Sequence, residues 1–169
     1  AYVQWSKNNI GFHKDDVNSV LLKYGDRIVP NFELEDESCV DHAVRVFVPL
    51  CGKALDLKFL AQHEFVSHVC GCEGIRTAIE QFSQEHKDLN IKPAAGGSQD
   101  GAFELFTGDK ISLLKGDFFQ INHEVTSGKF DAIWDRASLV AIDPSLRESY
   151  VEIMGRIIIV FVMLYLLSF

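Results

Sequence analysis

Val44-Arg45-Val46-Phe47-Val48-Pro49-Leu50-Cys51-Gly52-Lys53 is the stretch that decides the reading of this chain. It is a near-continuous apolar run that ends in a proline, a glycine and a lysine. Strands buried on both faces of a parallel sheet have this composition, because neither face meets water. Phe130-Asp131-Ala132-Ile133-Trp134-Asp135-Arg136 follows the same plan further on and again ends in charge. In open α/β sheets, ligands bind beyond the carboxyl ends of the strands, where loops and helix starts converge. Two such strand ends predict both a fold and the place of its site.

Helices and strands alternate outward from this run. Ala54 to His63 reads as a helix, and Phe65 to Cys72 as a second strand. Ile75, Ala78, Ile79 and Phe82 form the stripe of an amphipathic helix. Residues 87 to 101, with Pro93, Gly96, Gly97 and Gly101, read as a flexible loop. Phe103 to Thr107 and Ile111 to Lys115 flank Gly108-Asp109, which predicts a hairpin. Asp143-Pro144 opens a helix with an N-cap and a proline at the first helical position. Leu146, Tyr150, Ile153, Met154 and Ile157 form its stripe. Upstream, Val17, Val20, Leu21 and Tyr24 predict a helix, and the polar residues 25 to 42 read as a surface connection. The alternation argues for an α/β fold with a doubly wound, mostly parallel sheet and right-handed crossovers.

The chain has 169 residues, enough for one domain. Its formal net charge of −8 argues against nucleic acid, whose binding rests on Lys and Arg neutralising phosphates. A small-molecule substrate is the expected partner. Cys39, Cys51, Cys70 and Cys72 show no CxxC and no zinc spacing, so buried free thiols in a reducing cytosol are expected. The histidines lack paired spacing, and no metal site is expected. No signal peptide is seen at the N-terminus, though the chain begins at Ala1 rather than Met, which suggests a processed or partial start. Ile157 to Phe169 is almost wholly apolar. As a helix it would reach about 20 Å, against about 30 Å for a bilayer core, so a buried strand is expected and no membrane span.

The turn after the first strand carries a single glycine, Gly52, and lacks the GxGxxG that lets backbone approach a pyrophosphate. No Walker A sequence exists either. A cofactor without a pyrophosphate fits better. Glu73 ends the second strand about 20 residues beyond Gly52, where an acidic residue accepts bonds from ribose hydroxyls. Asp117 follows the next strand, placed to accept from an adenine amino group, with Phe118 beside it to cover the ring. The combination suits S-adenosylmethionine. The same two carboxylates also read as ordinary loop residues.

Val46-Phe47-Val48-Pro49-Leu50-Cys51-Gly52-Lys53, Ile133-Trp134-Asp135-Arg136 and Leu139-Val140-Ala141-Ile142 resemble the thiopurine S-methyltransferase family. So does Trp5-Ser6-Lys7-Asn8-Asn9-Ile10-Gly11-Phe12-His13. The resemblance covers residues 1 to about 155 and decays beyond, in the region expected to supply the last strands and part of the acceptor pocket. It implies a Rossmann-like class I methyltransferase fold with its last strands missing. It also implies one domain over 1–169, with residues 1–42 as lid and helix and 43–169 as core. The implied cofactor is S-adenosyl-L-methionine, and the implied acceptor is an aromatic or heterocyclic thiol. A shortened form of such an enzyme would be active, or would bind the cofactor without turnover.

Carried over by position, Trp5, Phe12, Leu50, Glu73, Asp117, Phe118 and Arg136 match cofactor contacts, and Phe12 also faces the acceptor. At Asp117 the family member that guides this match carries a small hydroxyl residue, so the correspondence there concerns backbone more than side chain. Methyl transfer from a sulfonium needs positioning more than covalent help, and a thiolate needs no dedicated base. Asp135 and Arg136 are the candidates nearest the chemistry, Arg136 to hold an anionic or polarised acceptor. The expected molecule is a cytoplasmic monomer with no nucleic acid and no membrane among its partners.

Overall fold

Val44–Val48 forms strand β1, which lies between two parallel neighbours, β2 (Val66–Glu73) and β6 (Ala132–Asp135). A computed structural model of the protein describes residues 16–28, 43–95, 101–159 and 165–166. The remaining strands are β3 (Lys92–Pro93), β4 (Phe103–Gly108), β5 (Ile111–Gly116) and β7 (Tyr165–Leu166). The sheet runs β3-β4-β5-β2-β1-β6-β7, with β5, β2, β1, β6 and β7 parallel and the β3–β4–β5 edge antiparallel. After β1 the chain builds the sheet in one direction, then returns to add β6 on the other side. The reversal puts the topological switch point between β1 and β6, the place where such sheets bind ligands. The predicted α/β architecture is the one observed.

The sheet is sandwiched because its strands are apolar on both sides. Val46, Val48, Val69, Leu113 and Trp134 pack on one face with Leu57, Leu60, Ile79 and Phe82. Phe47, Cys70, Leu114 and Ile133 alternate with them and face Phe118, Tyr150, Ile153 and Met154. The helices supplying those side chains, apart from Phe118 in a 3-10 turn, are α2 (Leu55–Gln62), α3 (Arg76–Glu85) and α5 (Arg147–Ile157); α4 is the short Ser138–Ala141. The buried residues of α3 and α5 fall on the stripes read from sequence, except that Leu146 lies exposed in the turn before α5. Gly71 lets the layers close. A Cβ there would stand 2.8 Å from both the Cys51 sulfur and a Leu113 methyl.

Helix α1 spans Ser19–Ile28 and so enters the segment expected to be a surface connection. Gly25 lowers helix propensity, but it is buried, and its bare Cα is turned towards the Phe59 ring, so packing overrides propensity. Residues 29–42 lie outside the described residues. The expected loop over 87–101 holds a 3-10 turn, Lys87–Leu89, and the edge strand β3. Asp143 does cap Ser145, but Pro144–Leu146 is a 3-10 turn that leads into α5. Ile157 closes α5 rather than starting a strand. Strand character begins with Ile158, bridged to Phe130, and returns in β7 beside Trp134 and Asp135.

Candidate functional site

The turn at the end of β1 is held in an unusual backbone. Leu50 has φ +42° and Gly52 φ +55°, the left-handed region that disfavours a side chain such as that of Leu50. Such strain persists only where surrounding bonds over-determine it. Here the Cys51 amide donates to the Cys72 carbonyl at 3.0 Å, and the Gly52 amide donates to Glu73 Oε2 at 2.8 Å. The other carboxylate oxygen of Glu73 accepts from the Ile75 amide, also at 2.8 Å. Glu73 thus joins the ends of β1 and β2. Its burial pushes the carboxyl above the ordinary range, against the lowering effect of those backbone donors.

The end of β6 mirrors this. Ala137 has φ +66°, and the chain turns there into α4. Asp135 is fully buried; its Oδ1 accepts from the Ser138 amide at 2.7 Å, and its Oδ2 accepts from the Tyr150 hydroxyl at 2.8 Å. Burial and the Asp135 carboxylate both raise the Tyr150 phenol, keeping it a donor. The Ser138 hydroxyl donates to the Pro49 carbonyl at 3.0 Å and so ties the two turns together.

Between the turns lies a small, open depression lined by Leu50, Cys51, Asp56, Trp134 and Arg136 among others. Arg136 reaches it with a side chain 21% exposed and an ion pair to Asp56 at 3.6 Å. Asp56, in the first turn of α2, also accepts from the Trp134 indole at 2.9 Å and from the Asn18 amide at 2.8 Å. The Cys51 thiol is raised by burial and by the Glu73 charge, which leaves it a poor nucleophile. Among the described residues, no helix is long and apolar enough to cross a membrane.

The family model for thiopurine S-methyltransferase matches residues 3–168 of this chain. The chain belongs to the thiopurine S-methyltransferase family. The match runs well past residue 155, so the likeness reaches further toward the C-terminus than the motifs suggest. Thiopurine S-methyltransferase of Shewanella sediminis is 37% identical over 159 residues, covering 92% of this chain and 64% of that protein. Its counterpart in Shewanella woodyi is 40% identical over 149 residues, 88% of this chain and 60% of that one. The probable thiopurine S-methyltransferase of Danio rerio is 36% identical over 89% and 60% of the two chains. The chain therefore spans about three fifths of the length of these relatives.

Among solved structures, PKMT2 from Rickettsia typhi in complex with AdoHcy superposes with a TM-score of 0.52 at 15% identity. That superposition covers 69% of this chain and 19% of the other. The methyltransferase domain of bacterial CtHen1 gives 0.50 at 14% identity, over 69% and 53%. Both show the shared class I methyltransferase fold.

Of the residues singled out from sequence, Leu50 and Arg136 line the cleft, and Glu73 braces the Leu50 turn. Asp117 lies at the same end of the sheet, two residues beyond Lys115, the β5 partner of Glu73. Its Oδ1 caps the 3-10 turn Phe118–Gln120 by accepting from the Phe119 amide at 3.0 Å. Two expectations change. Phe118 is buried in the core against Tyr150 and Phe47, with ring centroids 4.7 and 6.5 Å away, so it supports the site from beneath. Asp135 spends both oxygens on the turn and α5, which makes it an anchor rather than a group facing an acceptor. Trp5 and Phe12 lie outside the described residues. Asp56, Trp134, Ser138 and Tyr150 join the site unannounced by any motif role.

Proposed function

We propose that this chain binds S-adenosylmethionine at the β1–β6 switch point and transfers its methyl group to the sulfur of aromatic or heterocyclic thiols. The observation that carries the reading is Glu73, a buried carboxylate fixed by two backbone amides beside a single-glycine turn. Its two oxygens offer about four lone-pair sites, and beyond their backbone donors they keep acceptor capacity for a ribose hydroxyl. The tight Leu50–Gly52 turn leaves no glycine-rich loop for a pyrophosphate, which fits a cofactor without one.

When bound, the cofactor supplies a methyl group already activated on a sulfonium. The chain's part is to bind, orient and exclude water. Glu73 accepts from the ribose, the Asp117 turn borders the base, and Leu50 contributes apolar contact from the cleft wall. Arg136, by family position a cofactor contact, borders the cofactor and also places positive charge where an anionic or polarised thiol would sit; no general base is needed for a thiolate. Trp5 and Phe12 are proposed to cover the pocket. Phe12 is six residues before Asn18, whose amide is tied to the cleft through Asp56. The family's acceptor chemistry supports the thiol as substrate.

Titration with S-adenosylhomocysteine, followed by transfer of labelled methyl to thiophenol and a thiopurine, tests this reading. Saturable binding with turnover is expected. A second reading is binding without turnover, and binding without labelled product would support it. No binding at all would remove both.

A further inference from the structure

A buried ionised carboxylate is costly unless its oxygens are bonded and its charge is opposed. Asp56 is 1% exposed, yet it lines the cleft wall. Its Oδ1 takes the Asn18 amide at the start of α1, and its Oδ2 takes the indole N–H of Trp134 at the end of β6. These neutral donors satisfy the oxygens but do not cancel the charge. The Arg136 guanidinium, 3.6 Å from Oδ2, does. That distance exceeds a direct hydrogen bond, so the pairing acts as an electrostatic restraint on where the guanidinium lies.

Resting on the cofactor reading above, we propose that Asp56 is the positioning residue of the site. It acts through Arg136, holding that cation at the cleft wall while pinning α1 and Trp134 to the same point. Asp56 itself meets no reacting atom. Three elements distant in sequence, α1, α2 and the β6 turn, are set relative to the ligand by one carboxylate.

The test is a double-mutant cycle read by calorimetric titration of S-adenosylhomocysteine into the wild type, Asp56→Asn, Arg136→Gln and the double variant. Asn keeps the volume and one acceptor oxygen but removes the charge. Asp56→Asn is expected to weaken binding at least about threefold, and the loss should vanish when Arg136 is already Gln. A merely structural role would give the same loss in both backgrounds, and that result overturns the proposal, as does wild-type affinity in Asp56→Asn. If Asp56→Asn does not fold, Trp134→Phe removes a single donor to the carboxylate. It should show a smaller loss that also depends on Arg136, and a loss independent of Arg136 overturns the proposal. A wild type that binds no S-adenosylhomocysteine defeats the cofactor reading and this inference together; a binding wild type with an indifferent cycle defeats the inference alone.

Discussion

Replacing Glu73 by alanine strips the acceptor from two backbone amides, those of Gly52 and Ile75, each at 2.8 Å. A buried donor left unpaired costs about 1–3 kcal/mol, so the two together cost about 2–6 kcal/mol. Some of this returns, because burial already disfavours the charged carboxylate. A net loss of about 2–4 kcal/mol is expected, a large share of the roughly 5–15 kcal/mol that holds a domain folded. The same change deletes the acceptor offered to ribose, worth about 1–3 kcal/mol, or about 5- to 150-fold in affinity for S-adenosylhomocysteine. Urea unfolding and calorimetric titration on one preparation measure both losses. An unfolding curve shifted as expected, with wild-type affinity retained, would refute the ribose role while leaving the structural one.

The pH dependence has a definite sign. The carboxyl of Glu73 in the folded chain keeps its proton to higher pH than its ordinary value of 4.5. The acceptor form is complete above that raised value, so affinity should fall as pH drops through it, while Glu73→Gln stays flat across the same range. For stability the direction reverses. A raised carboxyl contributes stability that is full below the unfolded value and is lost as pH rises through the folded one.

Tyr150→Phe removes the hydroxyl donor to the buried Asp135 carboxylate and should cost about 1.5–3 kcal/mol, read as a lower urea midpoint with unchanged slope. Gly71→Ala forces a methyl to 2.8 Å from Cys51 and Leu113 and should destabilise by about 1–3 kcal/mol. An unshifted melting curve would show that the layers relax there without cost. Burial raises the thiols of Cys51, Cys70 (to about 11) and Cys72, so at pH 7.5 iodoacetamide should label them only after urea is added. Rapid native labelling of Cys51, seen by peptide mapping, would contradict its enclosure.

What the sequence disclosed and what it hid divide along a physical line. β1, β2, the helix stripes and the position of Glu73 were legible because each depends on local periodicity or on a spacing within one βαβ unit. The Asp56–Trp134 and Ser138–Pro49 bonds join residues 78 and 89 positions apart, and no local pattern announces them. Phe118 looked like a ligand platform beside a polar Asp, but sequence neighbours do not tell which side of a short turn faces the core. Asp135 looked reactive because a charge at a strand end commonly is. Only the return of α5 with Tyr150 revealed that the charge is consumed internally. The Ser19–Ile28 helix outran its reading because a contact with Phe59 offsets the weak helix propensity of Gly25.

The edge strand β3 closes one margin of the sheet. Pro93 has no N–H to offer, and both Lys92 and Pro93 are exposed, so a further strand approaching from that side meets a charge and an absent donor. The opposite margin, beyond the parallel pairing of β6 with β7, carries no such block among the described residues. A further strand is therefore disfavoured at the β3 margin, and the block resides in two residues on the side of the sheet farthest from the switch point.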